Sequence, residues 1–169
     1  MEALLEDGDL IFRTGVGLSS KLVNLTDRKT GYSHVGVAIR DSNSWLVVHA
    51  LPGSSFNKVI CSSLEVFLNK KQAKQGQISR VQAPYSLRKK AAQFAYQFAL
   101  QKIPFDHNYN YEDSTAIYCT ELVQRSFQKV GIDLVGDRLY TIPLIKRSHR
   151  VILPSSLLED TKLTTIYNY

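Results

Sequence analysis

Two short apolar runs separated by a polar turn constrain the fold more than any other feature of the sequence. The run VGVAIR (35–40) alternates large and small apolar residues, which predicts a strand packed closely on both faces. The run WLVVHA (45–50) follows the polar turn DSNS (41–44), and the two runs together predict an antiparallel hairpin. His34 stands just before the first run and His49 near the end of the second. A core strand gains nothing from an imidazole at its end, so these positions point to a chemical site.

The other patterns place strands in the N-terminal half and the tail, with helices segregated from them. The strongest helix pattern runs from Ser86 to Gln101, with apolar residues on one face and polar residues on the other. Because strands and helices do not alternate, the sequence predicts an α+β fold, a small antiparallel sheet packed against helices, in one domain over residues 1–169. The further expected elements are strands at 9–13, 76–83, 139–142, 150–153 and 163–167, and helices at 18–27, 62–68 (Ser62 and Glu65 in capping-box spacing) and Cys119–Val130.

Charge and composition narrow the classes of partner. The net charge of +6 favours peripheral contact with anionic surfaces, but the basic residues are scattered, so we expect no nucleic-acid binding. No apolar run approaches the ~18–20 residues that span a bilayer, so we expect no transmembrane segment. The acidic start, MEALLEDGDLIF, does not resemble a signal peptide. The compartment stays open between the cell envelope or periplasm, if a signal has been removed, and the cytoplasm; the oligomeric state also stays open.

Cys119 lies where a long polar loop meets the start of a predicted helix. Free backbone N–H groups and the positive end of the helix dipole stabilise an anion at that position. We therefore expect a lowered thiol pKa, a nucleophilic sulfur, and N–H donors for an oxyanion. The alternative is a small buried cysteine without a chemical role. The second cysteine, Cys61, leaves a single disulfide bridge to Cys119 open.

A thiol hydrolase also needs a base that a third group orients. His34 and His49 are 15 residues apart across the predicted hairpin, which brings them to one edge of the sheet, where cross-strand neighbours lie ~5 Å apart. His34 would then take the Cys119 proton, and His49 would hold the ring of His34. The alternatives are two histidines satisfied by ordinary contacts, or a zinc site formed by these three side chains.

An ordered set of motifs covers nearly the whole chain, from about Gly8 to the tail. It resembles the permuted papain-like amidases of the NlpC superfamily, whose histidine strands precede the cysteine helix. Lecithin:retinol acyltransferase belongs to the same permuted grouping. The motifs that carry the resemblance are GDLIFR, YSHVGVAI, LVVHA, IPFDHNYNYED, YCTELVQRSF and VILPSSLLEDTKLTTI.

The resemblance implies a circularly permuted papain-like fold and a catalytic set of Cys119 as nucleophile, His34 as base and His49 as orienting residue. Two departures weaken it: many bacterial members carry Glu where this chain has His49, and many read Pro-Tyr-Asp where Phe105 stands. Asp106 matches, either as a receptor for a substrate ammonium or as a cap of its own loop. Tyr118 and Thr120 flank the nucleophile and are expected to line the cleft, although Tyr118 also fits a packing role.

These features predict a cysteine hydrolase, amidase or peptidase-like, that acts through a thioester acyl-enzyme without a cofactor or metal. The expected substrate is an amide or ester of a small molecule, a peptide or a lipid, and the relatives suggest a bacterial protein with a role at the cell wall. One alternative is a lipid or thioester acyltransferase or acyl hydrolase. The other is an inactive binding module that has kept the fold.

Overall fold

A six-stranded antiparallel sheet forms the centre of the molecule. The computed structural model describes residues 1–15, 27, 29–53, 56–69, 71, 73–141 and 150–169. The strands follow the order β4-β3-β2-β1-β5-β8, and every neighbouring pair runs antiparallel. The predicted α+β fold with an antiparallel sheet is therefore confirmed. The strands of this sheet are β1 (Leu10–Gly15), β2 (His34–Asp41), β3 (Ser44–Leu51), β4 (Lys58–Ser63), β5 (Ala73–Val81) and β8 (Leu163–Asn168), and a separate pair comprises β6 (Tyr140–Thr141) and β7 (Arg150–Val151).

The predicted hairpin is formed by β2 and β3. Val37 pairs with Val48, and Asp41 pairs with Ser44 across a two-residue turn. Ser42 in that turn has a positive φ of 48°, a conformation that short polar turn residues adopt more readily than branched ones. The hairpin lies between β4 and β1. This placement in the middle of the sheet explains why both runs are apolar.

Helices cover one face of the sheet more fully than the other. The second and third helices pack on the strands of the hairpin and on each other, and their apolar side chains form the larger core with β1, β2 and β3. A smaller core on the opposite face is closed by the first helix, a single turn after β4. In the described ranges, no helix is long and apolar enough to cross a membrane. The helices are α1 (Leu64–Phe67), α2 (Tyr85–Leu100), α3 (Cys119–Gln128) and α4 (Pro154–Leu158), with a 3-10 turn at Glu2–Leu4.

The helix predicted over 62–68 begins later than the sequence pattern indicates. Residues 60–63 pair with β3, so β4 continues through Ser63 and α1 begins at Leu64. The N-cap is Ser63, whose hydroxyl accepts the N–H of Val66 at 3.3 Å, and Ser62 is not part of the cap. The capping pattern correctly indicates a helix start but is shifted by one residue. Of the helix predicted at 18–27, all but residue 27 lies outside the described residues.

The tail also differs from its predicted strands. Within 150–153 the paired strand covers only Arg150–Val151, and a short helix, α4, begins at Pro154. Proline suits the first position of a helix because it has no N–H to leave unpaired. The last strand, β8, pairs with β5 and completes the sheet. The C-terminal residues therefore belong to the same sheet as the hairpin.

Candidate active site

His34 and His49 lie on the same face of the hairpin and are in direct contact. The register of β2 and β3 places Gly36 opposite His49, so the two imidazoles are diagonal neighbours. His34 Nε2 and His49 Nδ1 are hydrogen-bonded at 2.9 Å, with the rings nearly perpendicular at 83°. Both side chains are buried. The structure therefore brings together the two histidines that the hairpin predicts as neighbours.

Gly36 makes this arrangement possible. A Cβ at Gly36 would lie 2.4 Å from a methyl carbon of Val47 and 3.0 Å from the carbonyl oxygen of Val48. It would also lie 3.3 Å from Cβ of His49. A side chain at this position would displace the strand that carries His49. Steric crowding therefore explains why glycine stands between the two imidazoles.

Phe67 and Arg13 enclose the imidazole pair. The Phe67 ring stacks on His34 with centroids 5.6 Å apart and meets His49 edge-on at 5.0 Å. Arg13 pairs with His34 across β1 and β2, and its guanidinium lies over the Phe67 ring at 4.4 Å. Its Nη1 donates to the Phe67 carbonyl at 2.6 Å. An aromatic wall and a cation thus border the two histidines.

Ser62 on β4 contacts the far side of His49. Its hydroxyl lies 2.9 Å from His49 Nε2, within hydrogen-bonding distance. Each nitrogen of His49 therefore has a partner, one on β2 and one on β4. His34 Nε2 is likewise occupied, which leaves Nδ1 as the ring nitrogen of His34 that the two-histidine contact does not use.

Cys119 is the first residue of α3, as predicted. The backbone N–H groups of Val35, of Thr120 and of Cys119 itself lie where they stabilise a negative charge on its sulfur. Val35 follows His34 directly, so the sulfur lies against the strand end that carries the candidate base. The helix start and the hairpin edge, predicted separately, meet at this sulfur.

Burial dominates the charge state of the site. It raises the pKa of the Cys119 thiol to about 11, against the opposing effects of the three N–H groups and the Arg13 cation. It lowers the pKa of His49 to about 3, with a further lowering by Arg13. The pKa of His34 is well below its ordinary value, first through burial and then through His49 and Arg13. At neutral pH the resting site therefore holds a neutral thiol and two neutral imidazoles.

The lowered thiol pKa expected from the helix start is therefore wrong in direction. The N–H groups at the start of α3 do act on the sulfur, but desolvation outweighs them. The sequence pattern locates the helix start correctly and gives no measure of burial.

Asp106 holds its own loop. Its two carboxylate oxygens accept the backbone N–H groups of Asn108 at 2.7 Å and Asn110 at 2.6 Å, and the residue is buried. Phe105 beside it is also buried and packs edge-on against the rings of His107 and Tyr109. Two roles are predicted for Asp106, a receptor for a substrate ammonium and a cap of its own loop. The contacts in the structure are those of the loop cap.

Tyr118 and Thr120 face the interior rather than an open cleft. The Tyr118 hydroxyl accepts the N–H of Ile152 at 2.9 Å, and the Thr120 hydroxyl donates to the Ile152 carbonyl at 2.7 Å. Both residues are about 1% exposed. Their hydroxyl groups attach the tail to the start of α3, and contact with substrate stays a prediction for both.

The positions of these side chains also bear on the two other possibilities, a Cys61–Cys119 disulfide and a zinc site. Cys61 and Cys119 are both free thiols, so no disulfide joins them. His34 and His49 turn their facing nitrogens into a mutual hydrogen bond rather than toward a shared third point. Within the described ranges no group of three or more His, Cys, Asp or Glu side chains is placed to hold a metal. The donor geometry therefore does not fit the zinc alternative.

A groove of about 770 Å³ opens beside the histidine pair along β4. His49, Ser62 and Phe67 form part of its wall. Three of its lining side chains, Phe56, Val66 and Leu100, are large, apolar and exposed, and Lys58 and Lys102 add positive charge.

Sequence reasoning misses Ser62, Phe67 and Arg13 as parts of the site. The capping pattern assigns Ser62 to a helix start, and the segment before it reads as a connection rather than as β4. A third strand pairing with the hairpin is the signal that would place Ser62 opposite Val47, next to His49. Phe67 and Arg13 carry no sequence signal of their own beyond an apolar residue and a strand-end cation.

Comparisons with known proteins agree with this architecture. Residues 4–167 match the family described as permuted papain-like amidase enzyme, YaeF/YiiX, C92 family. The fold is similar to the crystal structure of metalloprotein yiiX from Escherichia coli O157:H7, with a TM-score of 0.82 and 19% identity over 97% of each chain. No curated protein matches the sequence. The predicted resemblance to permuted papain-like amidases is confirmed, and the chain belongs to the YaeF/YiiX family of these enzymes.

Proposed function

We propose that this chain is a cysteine-dependent hydrolase, amidase or peptidase-like, with Cys119 as nucleophile, His34 as base and His49 as orienting residue. Family membership supports the class of enzyme. The observation that carries the assignment of roles is the contact of His34 Nε2 with His49 Nδ1 at 2.9 Å. It commits one nitrogen of His34 to an orienting partner and leaves the other for the sulfur.

The reaction begins from the neutral pair. His34 Nδ1 takes the thiol proton as the Cys119 sulfur bonds to the carbonyl carbon of the substrate. The carbonyl electron pair moves to oxygen, and the oxyanion is held by backbone N–H groups at the start of α3. When the carbonyl re-forms, the bond to the leaving nitrogen or oxygen breaks, and His34 returns the proton to that atom.

A second half-reaction releases the acyl group from Cys119. Water gives a proton to His34 Nδ1 and bonds to the thioester carbon, and the carbon–sulfur bond then breaks. The proton returns to the sulfur, which restores the neutral thiol and imidazole. Desolvation keeps both groups neutral between turnovers.

The proposed substrate is an amide or ester of a small molecule, a peptide or a lipid. The net charge of +6 supports peripheral contact with anionic surfaces, and the scattered basic residues give no support to nucleic-acid binding. The similar yiiX protein is described as a metalloprotein. We extend no metal to this chain, because the described donor atoms do not converge on one point.

The second candidate function is transfer or hydrolysis of a lipid acyl group. The apolar groove beside His49, with two lysines among its lining residues, favours it. An acyl chain fits a groove walled by Phe56, Val66 and Leu100, and the lysines suit an anionic head group. Both candidates share the thioester on Cys119 and differ in what accepts the acyl group.

The test is single-turnover labelling of the protein with a panel of chromogenic amides and esters that includes long-chain acyl esters. We expect an acyl mass on Cys119, loss of turnover in Cys119→Ala and Cys119→Ser, and full turnover in the matched control Cys61→Ser. Acyl transfer predicts a long-chain thioester that persists until an acceptor is added, whereas hydrolysis predicts release by water. Undiminished turnover in Cys119→Ala would exclude both candidates.

A further inference from the structure

Ser62 is a residue of the site that neither the sequence pattern nor the resemblance assigns. It lies on β4, is half-buried, and forms part of the groove wall beside His49. Its hydroxyl is 2.9 Å from His49 Nε2. Three side chains on three successive strands thus form one chain of contacts, from His34 through His49 to Ser62.

The proton positions along this chain are linked. A neutral imidazole carries one N–H and one acceptor nitrogen. If His34 carries its proton on Nε2, it donates to His49 Nδ1, and His49 must then carry its own proton on Nε2. That N–H points at the Ser62 oxygen. If His49 instead donates from Nδ1, His34 must accept on Nε2 and carry its proton on Nδ1.

Only the first arrangement leaves a base for the thiol. His34 Nδ1 is then an acceptor and able to take the Cys119 proton. In the second arrangement Nδ1 already holds a proton, and His34 is blocked as a base. Among the described residues the Ser62 hydroxyl is the group in contact with His49 Nε2, and it can accept the Nε2 proton in the first arrangement or donate its own proton to the bare nitrogen in the second. The first arrangement is the one that the proposed function requires, because it leaves an acceptor on His34 Nδ1.

We infer that Ser62 is a positioning residue that accepts the His49 Nε2 proton and thereby sets both histidines in the tautomer in which His34 Nδ1 is free to act as base. The catalytic part of this inference rests on the proposed function. The tautomers can be measured in the free protein, whether or not Cys119 forms an acyl-enzyme. The role inferred for Ser62 is exerted through His49, which its hydroxyl contacts.

A matched pair of variants isolates the hydroxyl. Ser62→Thr keeps it, and Ser62→Val replaces it with a methyl group in nearly the same volume. Both are β-branched and suit a strand, and the added methyl has room because the position borders the groove. Ser62→Ala repeats the loss without added volume. Ser63→Ala removes the neighbouring hydroxyl, which caps α1 and does not contact a histidine.

The readout is two-dimensional ¹⁵N NMR of the histidine ring nitrogens in the free protein, together with steady-state kinetics. We expect Nε2–H on both rings in the wild type, Ser62→Thr and Ser63→Ala. We expect Ser62→Val and Ser62→Ala to shift both rings toward Nδ1–H, with kcat lowered about tenfold or more and KM unchanged, because a buried N–H disfavours a site without an acceptor.

Two results would overturn the inference. One is Nδ1–H on His34 and His49 in the wild type, and the other is the same pair of tautomers in Ser62→Val as in Ser62→Thr. Absence of an acyl-enzyme on Cys119 would instead defeat the proposed function and leave the tautomer result standing. The two failures are therefore distinguishable.

Discussion

The two free cysteines allow a test of the base within one molecule. Burial raises the pKa of both Cys61 and Cys119 to about 11. At pH 7 a thiol of that pKa is about one part in 10⁴ thiolate, about three hundredfold less than an ordinary thiol of pKa ~8.5. Alkylation through the free thiolate is therefore slow at both residues and rises tenfold per pH unit. Only Cys119 has a predicted second route, in which His34 takes the proton as the sulfur reacts.

The assay is alkylation by iodoacetamide between pH 6 and pH 10, with the label on each cysteine quantified by mass spectrometry. We expect the rate at Cys61 to follow a slope of one log unit per pH unit over this range. At Cys119 we expect a nearly flat rate around neutral pH, well above that of Cys61, because the neutral thiol–imidazole pair is the reacting form. In His34→Gln the Cys119 rate should fall to the slope and size of the Cys61 rate, and Cys61 serves as the internal control.

Two outcomes would refute this reasoning. A slope of one at Cys119 in the wild type would mean that His34 does not assist the sulfur. A titration of the Cys119 rate with a midpoint near the ordinary value of ~8.5 would show that burial does not control the thiol, as expected of an inactive binding module.

Three further predictions concern the residues around the site. The pKa of His49 is lowered from 6.5 to about 3, so the free energy of unfolding should decrease as the pH falls from 6.5 toward 3, by up to about 1.4 kcal/mol per pH unit. Urea unfolding at a series of pH values measures this decrease, and His49→Asn should make the stability less dependent on pH over the same range. Gly36→Ala places a methyl 2.4 Å from Val47 and should cost about 1–3 kcal/mol of unfolding free energy. Gly53→Ala, with no atom of the described residues within 4 Å of the added methyl, should be nearly neutral, and equal thermal shifts for the two variants would contradict the packing argument. Asp106→Ala should lower stability by about 1–3 kcal/mol through its lost N–H partners and reduce turnover of neutral and cationic substrates alike, while a KM increase confined to cationic substrates would show that it binds an ammonium.

The hairpin can be predicted because its pattern is local. The pairing register of the hairpin is determined by the two apolar runs, 35–40 and 45–50, and the turn between them. This register is enough to bring His34 next to His49. Cys119 is placed correctly for the same reason, because a polar loop followed by an amphipathic pattern marks a helix start. Local sequence is enough wherever the structural cause is local.

The features that the sequence does not reveal depend on contacts between distant segments. Ser62 belongs to the site only because β4 pairs with β3, and Phe67 only because α1 folds back over the hairpin face. The thiol pKa reverses direction because it depends on how much water reaches Cys119, which no residue pattern states. Tyr118 and Thr120 turn inward because the tail supplies Ile152 as their partner.

Burial of the two histidines and desolvation of the Cys119 thiol have a consequence for the pH dependence of the proposed enzyme. In the proposed mechanism the active form has one proton shared between the Cys119 sulfur and His34 Nδ1, whichever of the two atoms holds it at rest. Activity should therefore persist from the low pKa of His34 to the high pKa of the thiol, a wider pH range than ordinary pKa values would give.

A pH–rate profile measures that pH range but does not show which atom holds the proton. The ¹⁵N signals of the histidine rings show it, because the chemical shifts of a neutral His34 with its proton on Nε2 differ from those of an imidazolium protonated on both nitrogens. The hydrogen bonds that link His34, His49 and Ser62 can set the tautomer of His34 only while both histidines are neutral. Burial keeps them neutral, so the desolvation that raises the thiol pKa is also the condition under which Ser62 can act.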